Sequence, residues 1–344
     1  FVPVPIETIV GQDGTVIFRP LVPLPAKTRC AAITTRGLKG VDGQAAGPNP
    51  VMADLLGSGT TPAPGPVELA DELRAAVRAA LVSGAIGSEA DIASAQVFTT
   101  QSIEEETLRA AATIRATPHA VIDHLGCENR SNYELCTITF EAQSFRGEDK
   151  ITNIGADGAA SESYVMKANV YLPLGASEGS GSPLQTVIFG HGLNGDRGQA
   201  ARLADFAAPL GMATVSIDAP EHGEHPGAVN PDLAVTEFFG MGSRGFQPLV
   251  LRDNWRQATW DKLALVELLK GGVDADGDGD VDIDAHQLMY LGVSLGGIMG
   301  PELLAASDDV KAAVLVVGGG RVTDIVQFST TFAPLITVLT PSNY

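Results

Sequence analysis

Short apolar runs broken by Gly- and Pro-rich turns dominate the first sixty positions. Gly14-Thr15-Val16-Ile17-Phe18 and Cys30-Ala31-Ala32-Ile33-Thr34 are rich in β-branched residues, so they read as strands. The segment 61–66 (Thr-Pro-Ala-Pro-Gly-Pro) is a stiff hinge. The period then changes: Leu69, Leu73, Val77 and Leu81 recur at helical spacing, and Gly84 supplies a C-terminal stop. Ala95 to Thr100 is one more strand. Ser102 with Glu105 forms a capping box for a helix through Arg115. Thr117-Pro118 marks a switch, giving a β-rich module with helices over 1–117 and a second domain over 118–344. There, Cys136 to Phe145 and Ser163 to Leu174 alternate as antiparallel strands, separated by a polar loop over Gly147–Ser161 and followed by another over Gly175–Pro183.

From Thr186 the pattern changes again. The run Thr186-Val187-Ile188-Phe189-Gly190 leads into His191-Gly192-Leu193-Asn194-Gly195. A helical stretch, Gln199 to Ala208, is halted by Pro209, and Ala213 to Pro220 is a further strand with its turn. Strand, helix, strand with turn residues at each junction predicts a parallel sheet built from crossover units. Arg252 to Lys270 is a helix whose Trp255, Trp260, Leu263, Val266 and Leu269 form an apolar face, expected to pack in the core. Gln287 to Leu291 is a short buried strand, and Ile298 to Ala306 a helix. Between them lies Gly292-Val293-Ser294-Leu295-Gly296. A serine on a tight strand-to-helix turn needs glycines two before and two after, because side chains there collide with a strained backbone. The alternative is an ordinary Gly-rich turn.

From about Thr186 to Asp324 the chain resembles the α/β-hydrolase superfamily. The residues that carry this are Phe189-Gly190-His191-Gly192, Ser216-Ile217-Asp218-Ala219-Pro220-Glu221-His222-Gly223, Arg252-Asp253-Asn254-Trp255-Arg256-Gln257 and Gly292 to Gly297. In detail it is similar to bacterial secreted lipases and esterases of the virulence-factor type, which carry an Ig-like module ahead of the catalytic domain. Val97 to Ser102 and Pro23 to Thr28 resemble strands of that module. The resemblance implies an α/β fold, a mostly parallel sheet with helices on both faces, behind a smaller β-rich Ig-like module with a helical insertion. It implies Ser294 as nucleophile and the N–H groups of Leu193 and Leu295 as oxyanion donors. His191 is expected to steady its loop. Asp218 is expected to fix a loop, with orientation of a base as its alternative, and His222 and His225 to lie on a surface loop over the pocket mouth.

The departure from the family is as informative. The family places an acid and a histidine downstream of the serine, whereas His119, His124, His191, His222, His225 and His286 all precede Ser294. The expected base and acid therefore come from sequence beyond residue 344 or from a second polypeptide, leaving the hydrolase domain C-terminally incomplete; an inactive serine is the other outcome. The strand-like run Pro334–Leu339 close to the last residue points the same way.

An acidic segment precedes the serine strand. Asp274, Asp276 and Asp278 with Gly279 occupy positions one, three, five and six of a calcium loop, where the glycine allows oxygens to wrap a hard cation. Asp280 and Asp282 fall at seven and nine. Ala285 stands where a bidentate Glu is usual, so Asp282 or Asp284 must close the shell. Six crowded carboxylates repel one another without a cation. A structural calcium is the expectation, and a solvated acidic turn the alternative; no organic cofactor is implied.

Composition narrows the classes. A net charge of −19 opposes nucleic-acid binding and anionic membrane surfaces. No apolar run approaches the roughly 18–20 residues that span a bilayer. The start Phe1-Val2-Pro3, without an initiator Met, suggests processing. Cys127 and Cys136 flank a polar loop that a disulfide would close, stabilising the fold by roughly 2–3 kcal/mol, or they stay as free thiols. Cys30 is left as a buried thiol or with a partner outside the chain. A disulfide presumes an oxidising compartment, so the expected location is secreted, periplasmic or at the cell surface. The functional expectation is a serine esterase or lipase acting on carboxylic esters. A peptidase or amidase, or a non-catalytic binding protein on the same scaffold, are the alternatives.

Overall fold

A computed structural model describes residues 2–11, 15–48, 50–56, 67–176, 183–228, 230–242 and 245–330. The hinge at 61–66, most of the loop at 175–183 and the run Pro334–Leu339 lie outside the described residues. The chain forms two compact units, Phe1–Ile103 and Glu104–Tyr344.

In the first unit, β1 (Ile6–Val10) pairs antiparallel with β2 (Val16–Pro20), and β3 (Arg29–Thr35) with β4 (Ile92–Thr99). The short helix α1 (Pro50–Leu55) and the longer α2 (Val67–Val82) lie between β3 and β4 in sequence. Leu73, Val77 and Ala80 of α2 pack with Ile92 and Ala95 of β4 to make this unit's core. The helix ends where Gly84 adopts φ +73° and Ala85 N–H reaches back to Ala80 O, a turn that only a residue without a side chain makes without strain. An Ig-like sandwich requires two multi-stranded sheets face to face. Among the described residues the strands form two separate pairs, and α2 occupies the face of β4 where a second sheet would pack.

The second unit is one seven-stranded mixed sheet with helices. It opens with α3 (Glu105–Ala116), which begins with Glu104 at its cap rather than Ser102. Ala110, Ala111 and Ile114 of α3 are buried in this unit's core, so the helix belongs here and not to the N-terminal module. The strands are β5 (Val121–Asn129), β6 (Tyr133–Ser144), β7 (Glu162–Pro173), β8 (Leu184–Gly190) and β9 (Ala213–Ile217), with α4 (Ala201–Ala207) between the last two. Next come α5 (Ala234–Phe238), a two-residue ladder of β10 (Met241–Gly242) with β11 (Gly245–Phe246), and α6 (Pro248–Lys270). The remaining elements are β12 (Ile283–Val293), α7 (Leu295–Ala306), β13 (Val310–Val316) and α8 (Val322–Phe328).

The strand order is β13-β12-β8-β9-β7-β6-β5. Strands β13, β12, β8 and β9 run parallel, and β9, β7, β6 and β5 pair antiparallel. Period-two burial explains the long antiparallel pair: Cys136, Ile138, Phe140 and Ala142 of β6 face one core, as do Ala168, Val170 and Leu172 of β7. That core is roofed by α3, α6 and α7; the opposite face carries α4, whose Ala204 packs with Tyr171 and Phe189. All five residues of β9 are buried, as a central strand covered on both faces requires.

After β8 the chain crosses to β9 on one side, then returns through α6 to β12 on the other. This reversal opens a crevice at the carboxyl ends of β8 and β12, where ligands of such sheets bind.

Cys127 and Cys136 lie directly opposite each other on β5 and β6, with Cα atoms 4.0 Å apart, and form a disulfide. The bond staples an edge hairpin. Non-reducing peptide mapping is expected to recover this pair intact, with Cys30 outside it. Replacing both cysteines by serine is expected to cost roughly 2–3 kcal/mol in denaturant unfolding. Alkylation of both thiols in native, unreduced protein would contradict the pairing.

Candidate active site

Ser294 joins β12 to α7 at φ 53°, ψ −113°, a region that L-residues enter only under constraint. The constraint comes from its neighbours. A Cβ on Gly292 would fall on the Gly296 carbonyl, and one on Gly296 would fall on the Gly190 carbonyl. One on Gly297 would lie 2.7 Å from Val316 O. Main chain thus meets main chain at three strand ends.

Hydrogen bonds hold the turn in that state. Ser294 N–H donates to Val316 O at 3.0 Å, Gly296 N–H to His191 O at 3.0 Å, and Tyr290 Oη–H to Gly296 O at 2.8 Å. The Leu295 N–H, at the first position of α7, has no hydrogen-bond acceptor among the described residues. Neither has the Leu193 N–H, although Gly192 N–H beside it is held by Gln199 Oε1 at 3.2 Å. Leu193, Ser294 and Leu295 line one cleft of about 390 Å³. Two free amides and a helix N-terminus next to a hydroxyl are an arrangement that accepts developing negative charge.

His191 is buried beside this turn. Its Nε2 accepts from Ala219 N–H at 2.9 Å, which puts the proton on Nδ1, 2.9 Å from Gly192 O. Both nitrogens are engaged in tying β8's loop to β9's loop. Burial pushes its pKa down to about 4, the Gly192 carbonyl opposing that shift only in part. His222 and His225 are also buried, not on a surface loop. His222 Nδ1 contacts Pro220 O, its Nε2 has no partner among the described residues, and its ring packs on His191 and Phe238. His225 donates from Nε2 to Asp261 at 3.0 Å and accepts from Gly227 N–H at Nδ1.

The remaining histidines are distant. His119 contacts the Ile114 and Glu141 carbonyls, His124 contacts Asp274 O, and His286 lies near the start of β12, at the opposite end from Ser294. Among the described residues no histidine is placed in hydrogen-bond contact with Ser294 Oγ.

Asp218 fixes loops. It accepts from Arg197 N–H at 2.6 Å and Glu224 N–H at 2.9 Å and pairs with the Arg197 guanidinium. Buried Glu221, at φ 65°, is met by Arg146 at 3.4 Å and Lys150 at 3.0 Å, and Lys150 also reaches Glu237 of α5 at 3.1 Å. On α6, Asp261 receives Tyr164, Gln257 and His225 together. Asp253 receives Thr152 N–H along with Arg252 and Arg256. Within the string Arg252-Asp253-Asn254-Trp255-Arg256-Gln257, Asp253, Asn254, Arg256 and Gln257 are therefore buried scaffolding, while Arg252 and Trp255 are only partly buried. That tryptophan does not go wholly to the core: it lines the cleft with Val235 and Phe239. Periodicity alone could not reveal this wall. The cue was the aromatic pair Phe238-Phe239 just ahead of a Gly-rich stretch.

The acidic loop links α6 to β12. Carboxylate oxygens of Asp274, Asp276 and Asp282 all lie within 4.8 Å of one another. Asp276 Oδ2 is buried with no hydrogen-bond partner among the described residues. Burial, with the neighbouring carboxylates, pushes Asp282 up to about 6 and raises Asp276. An orphaned oxygen among crowded anions fits a hard cation. Asp278 and Asp280 are exposed and do not join the triplet; Asp278 is occupied in accepting from Asp280 N–H at 2.8 Å. The side chain of Asp284 lies outside the described residues.

No protein-family model matches the sequence, and no curated protein matches it. Among solved structures the chain is similar to an acetyl xylan esterase from a Paenibacillus species, at 18% identity and a TM-score of 0.45, covering 68% of this chain and 66% of that one. It is similar to acetyl xylan esterase 1 from a Thermoanaerobacterium species, at 16% identity and a TM-score of 0.40, covering 68% and 65%. A glucuronoyl esterase from Teredinibacter turnerae matches at 13% identity and a TM-score of 0.35, covering 59% and 46%. The chain spans about half to two thirds of the length of these structures.

The buried His191 sets a pH dependence. Its folded pKa of about 4 lies below the ordinary 6.5, so the unfolded chain binds the extra proton. Stability from this group is complete above about pH 6.5 and falls as pH drops toward 4, by up to about 3 kcal/mol. Asp282 pulls the opposite way, its raised pKa favouring the folded state as pH falls. Urea unfolding of wild type and His191→Gln at pH 7 and pH 4.5 separates the two. The stability difference between the proteins is expected to shrink at the lower pH, and a constant difference would contradict the assignment.

Proposed function

We propose that the protein is a serine hydrolase of carboxylic esters, of the secreted esterase or lipase kind, with Ser294 as nucleophile. The observation that carries this reading is the constrained serine itself, held at a positive φ in an open cleft beside two amides that have no acceptor among the described residues. Strain at a hydroxyl-bearing residue persists only where the surroundings over-determine it, as the backbone contacts of Gly292 and Gly296 do here.

Ser294 Oγ attacks the ester carbonyl carbon as its proton passes to a base. The carbonyl oxygen becomes an oxyanion held by the Leu193 and Leu295 N–H groups. Collapse expels the alcohol, which takes up a proton, and water then releases the acid from Ser294 by the same steps. No histidine is hydrogen-bonded to Ser294 Oγ among the described residues. We place that base and its acid partner outside the described residues, on further sequence or a second polypeptide. The cross-strand disulfide supports an oxidising compartment, secreted or periplasmic. No helix among the described residues is long and apolar enough to cross a membrane.

Calcium belongs to the same proposal as a structural ion. Asp274, Asp276 and Asp282 would hold it, with backbone carbonyls completing an oxygen shell. It would neutralise the loop that leads into β12.

Two measurements test these assignments. A fluorophosphonate, applied to the protein with any polypeptide that co-purifies, is expected to label Ser294, and Ser294→Ala to abolish the label. Absence of label at Ser294 overturns the reading. The 344-residue chain alone is expected to turn over nitrophenyl acetate roughly 10⁶-fold below a complete triad. For calcium, chelation is expected to lower the melting temperature and added calcium to restore it, by about 2.7 kcal/mol at a hundredfold excess over Kd. An unchanged melt across the titration removes the ion from the proposal.

A further inference from the structure

Beside Ser294 the cleft is walled by Val235, Phe239 and Trp255 on one side and by Leu295, Ile298 and Ile325 on the other. Its polar members among the described residues are Asn194, Ser294 and Ser329, and no charged side chain lines it. Phe239 is almost fully buried, and its ring packs on Phe238, which in turn packs on Trp255. The wall is firm because α5 is anchored from below: Asn254 Nδ2 donates to the carbonyls of Glu237 and Phe238, and Lys150 holds Glu237.

Two consequences follow from chemistry. An apolar guest gains by leaving water, at about 0.8 kcal/mol per methylene, which is close to fourfold in affinity. A charged guest loses its hydration with no counter-ion among the described lining residues to replace it. Size sets a third limit. A water molecule occupies about 30 Å³ and a methylene is of similar size, so 390 Å³ holds roughly a dozen non-hydrogen atoms.

We infer that the substrate is a neutral ester whose apolar moiety, a medium-length alkyl chain or a single aromatic ring, seats against Val235, Phe239 and Trp255, and that esters of charged sugar acids are rejected. This rests on the proposed role of Ser294 only for the word ester; the preference for a neutral apolar group of limited size belongs to the cleft. Trp255 and Phe239 are then specificity-determining residues.

The test reads binding rather than turnover. The chain has two tryptophans, and Trp260 is fully buried against Phe145, so a change of fluorescence on ligand addition reports Trp255. Ser294→Ala protein is titrated with ethyl esters from acetate to dodecanoate and with monoethyl succinate. Affinity is expected to rise about three- to fourfold per methylene up to roughly eight to ten carbons and then to level off. Monoethyl succinate is expected to bind at least tenfold more weakly than ethyl butyrate. Val235→Phe, which narrows the cleft without adding a third indole, is expected to move the break to shorter chains. Ile298→Phe narrows it from the opposite wall, providing the same reading if the first variant does not fold.

A series flat in chain length, or succinate binding as tightly as butyrate, overturns the inference. The serine assignment fails separately, by absence of fluorophosphonate label at Ser294. A chain-length series that holds without that label leaves an apolar binding cleft and removes the enzyme.

Discussion

The contact on which the rest of the unit depends is between two stretches of main chain, at Gly190 and Gly296. Any side chain at Gly296 would strike the Gly190 carbonyl, so β8 and the first turn of α7 meet at backbone distance. That approach brings the Leu193 loop alongside the serine turn. It also commits Gly296 N–H to His191 O and Ser294 N–H to Val316 O, and these two bonds hold Ser294 at its positive φ. Such strain costs on the order of 1–3 kcal/mol and must be repaid by surrounding order. The repayment is visible in Tyr290, whose hydroxyl is buried on the Gly296 carbonyl and whose ring sits in the main core.

A second layer of constraint lies under the loop that follows β9. Asp218, Glu221, His222, His225, Asp253 and Asp261 are all buried. Ion pairs of this kind rarely add much net stability, because removing both charges from water cancels most of their attraction. Their effect here is geometric. Arg146 and Lys150 converge on Glu221, while Asp218 spans from Arg197 to Glu224, so the loop has one conformation that satisfies every charge. Through Lys150 and Asn254 the same network reaches α5 and fixes the wall of the cleft. An apolar cleft wall is thus held in place by a buried polar network.

The acidic loop works at the other end of β12 from Ser294. Asp282 N–H and O bridge Val273 and Leu184, so the loop closes directly onto the sheet at the start of β12 and β8. His124 of β5 contacts the Asp274 carbonyl, tying the edge hairpin to the same loop. Crowded carboxylates there oppose this closure, and a cation would remove the opposition. The disulfide between β5 and β6 stiffens the same edge from the other side.

Much of the second unit could be read from the chain directly. Buried β-branched runs at Thr186–Gly190 and Ala213–Ile217, each ending in turn residues, have few structural solutions besides parallel strands joined by a helix. The spacing of Gly292, Ser294 and Gly296 announced a turn that tolerates no side chains, since steric exclusion is local and leaves a local trace. The pairing of Cys127 with Cys136 was legible for the same reason, the two lying close in sequence. Other features were not, because they depend on residues far apart. Whether Trp255 faces core or cleft depends on where α5 packs, and helical periodicity does not encode that. The burial of His222 and His225 followed from Asp261 meeting Tyr164 of β7 and Glu221 meeting Arg146 and Lys150 in the loop after β6, long-range contacts that no short motif reports. In the first unit, strand-like composition at Gly14–Phe18 and Cys30–Thr34 matched strands locally but did not report their pairing, and among the described residues α2 packs on β4. Sequence determined which segments are strands, helices and tight turns, through sterics and period. Only the tertiary structure decided which faces meet, because burial of a side chain is a property of its neighbours in space.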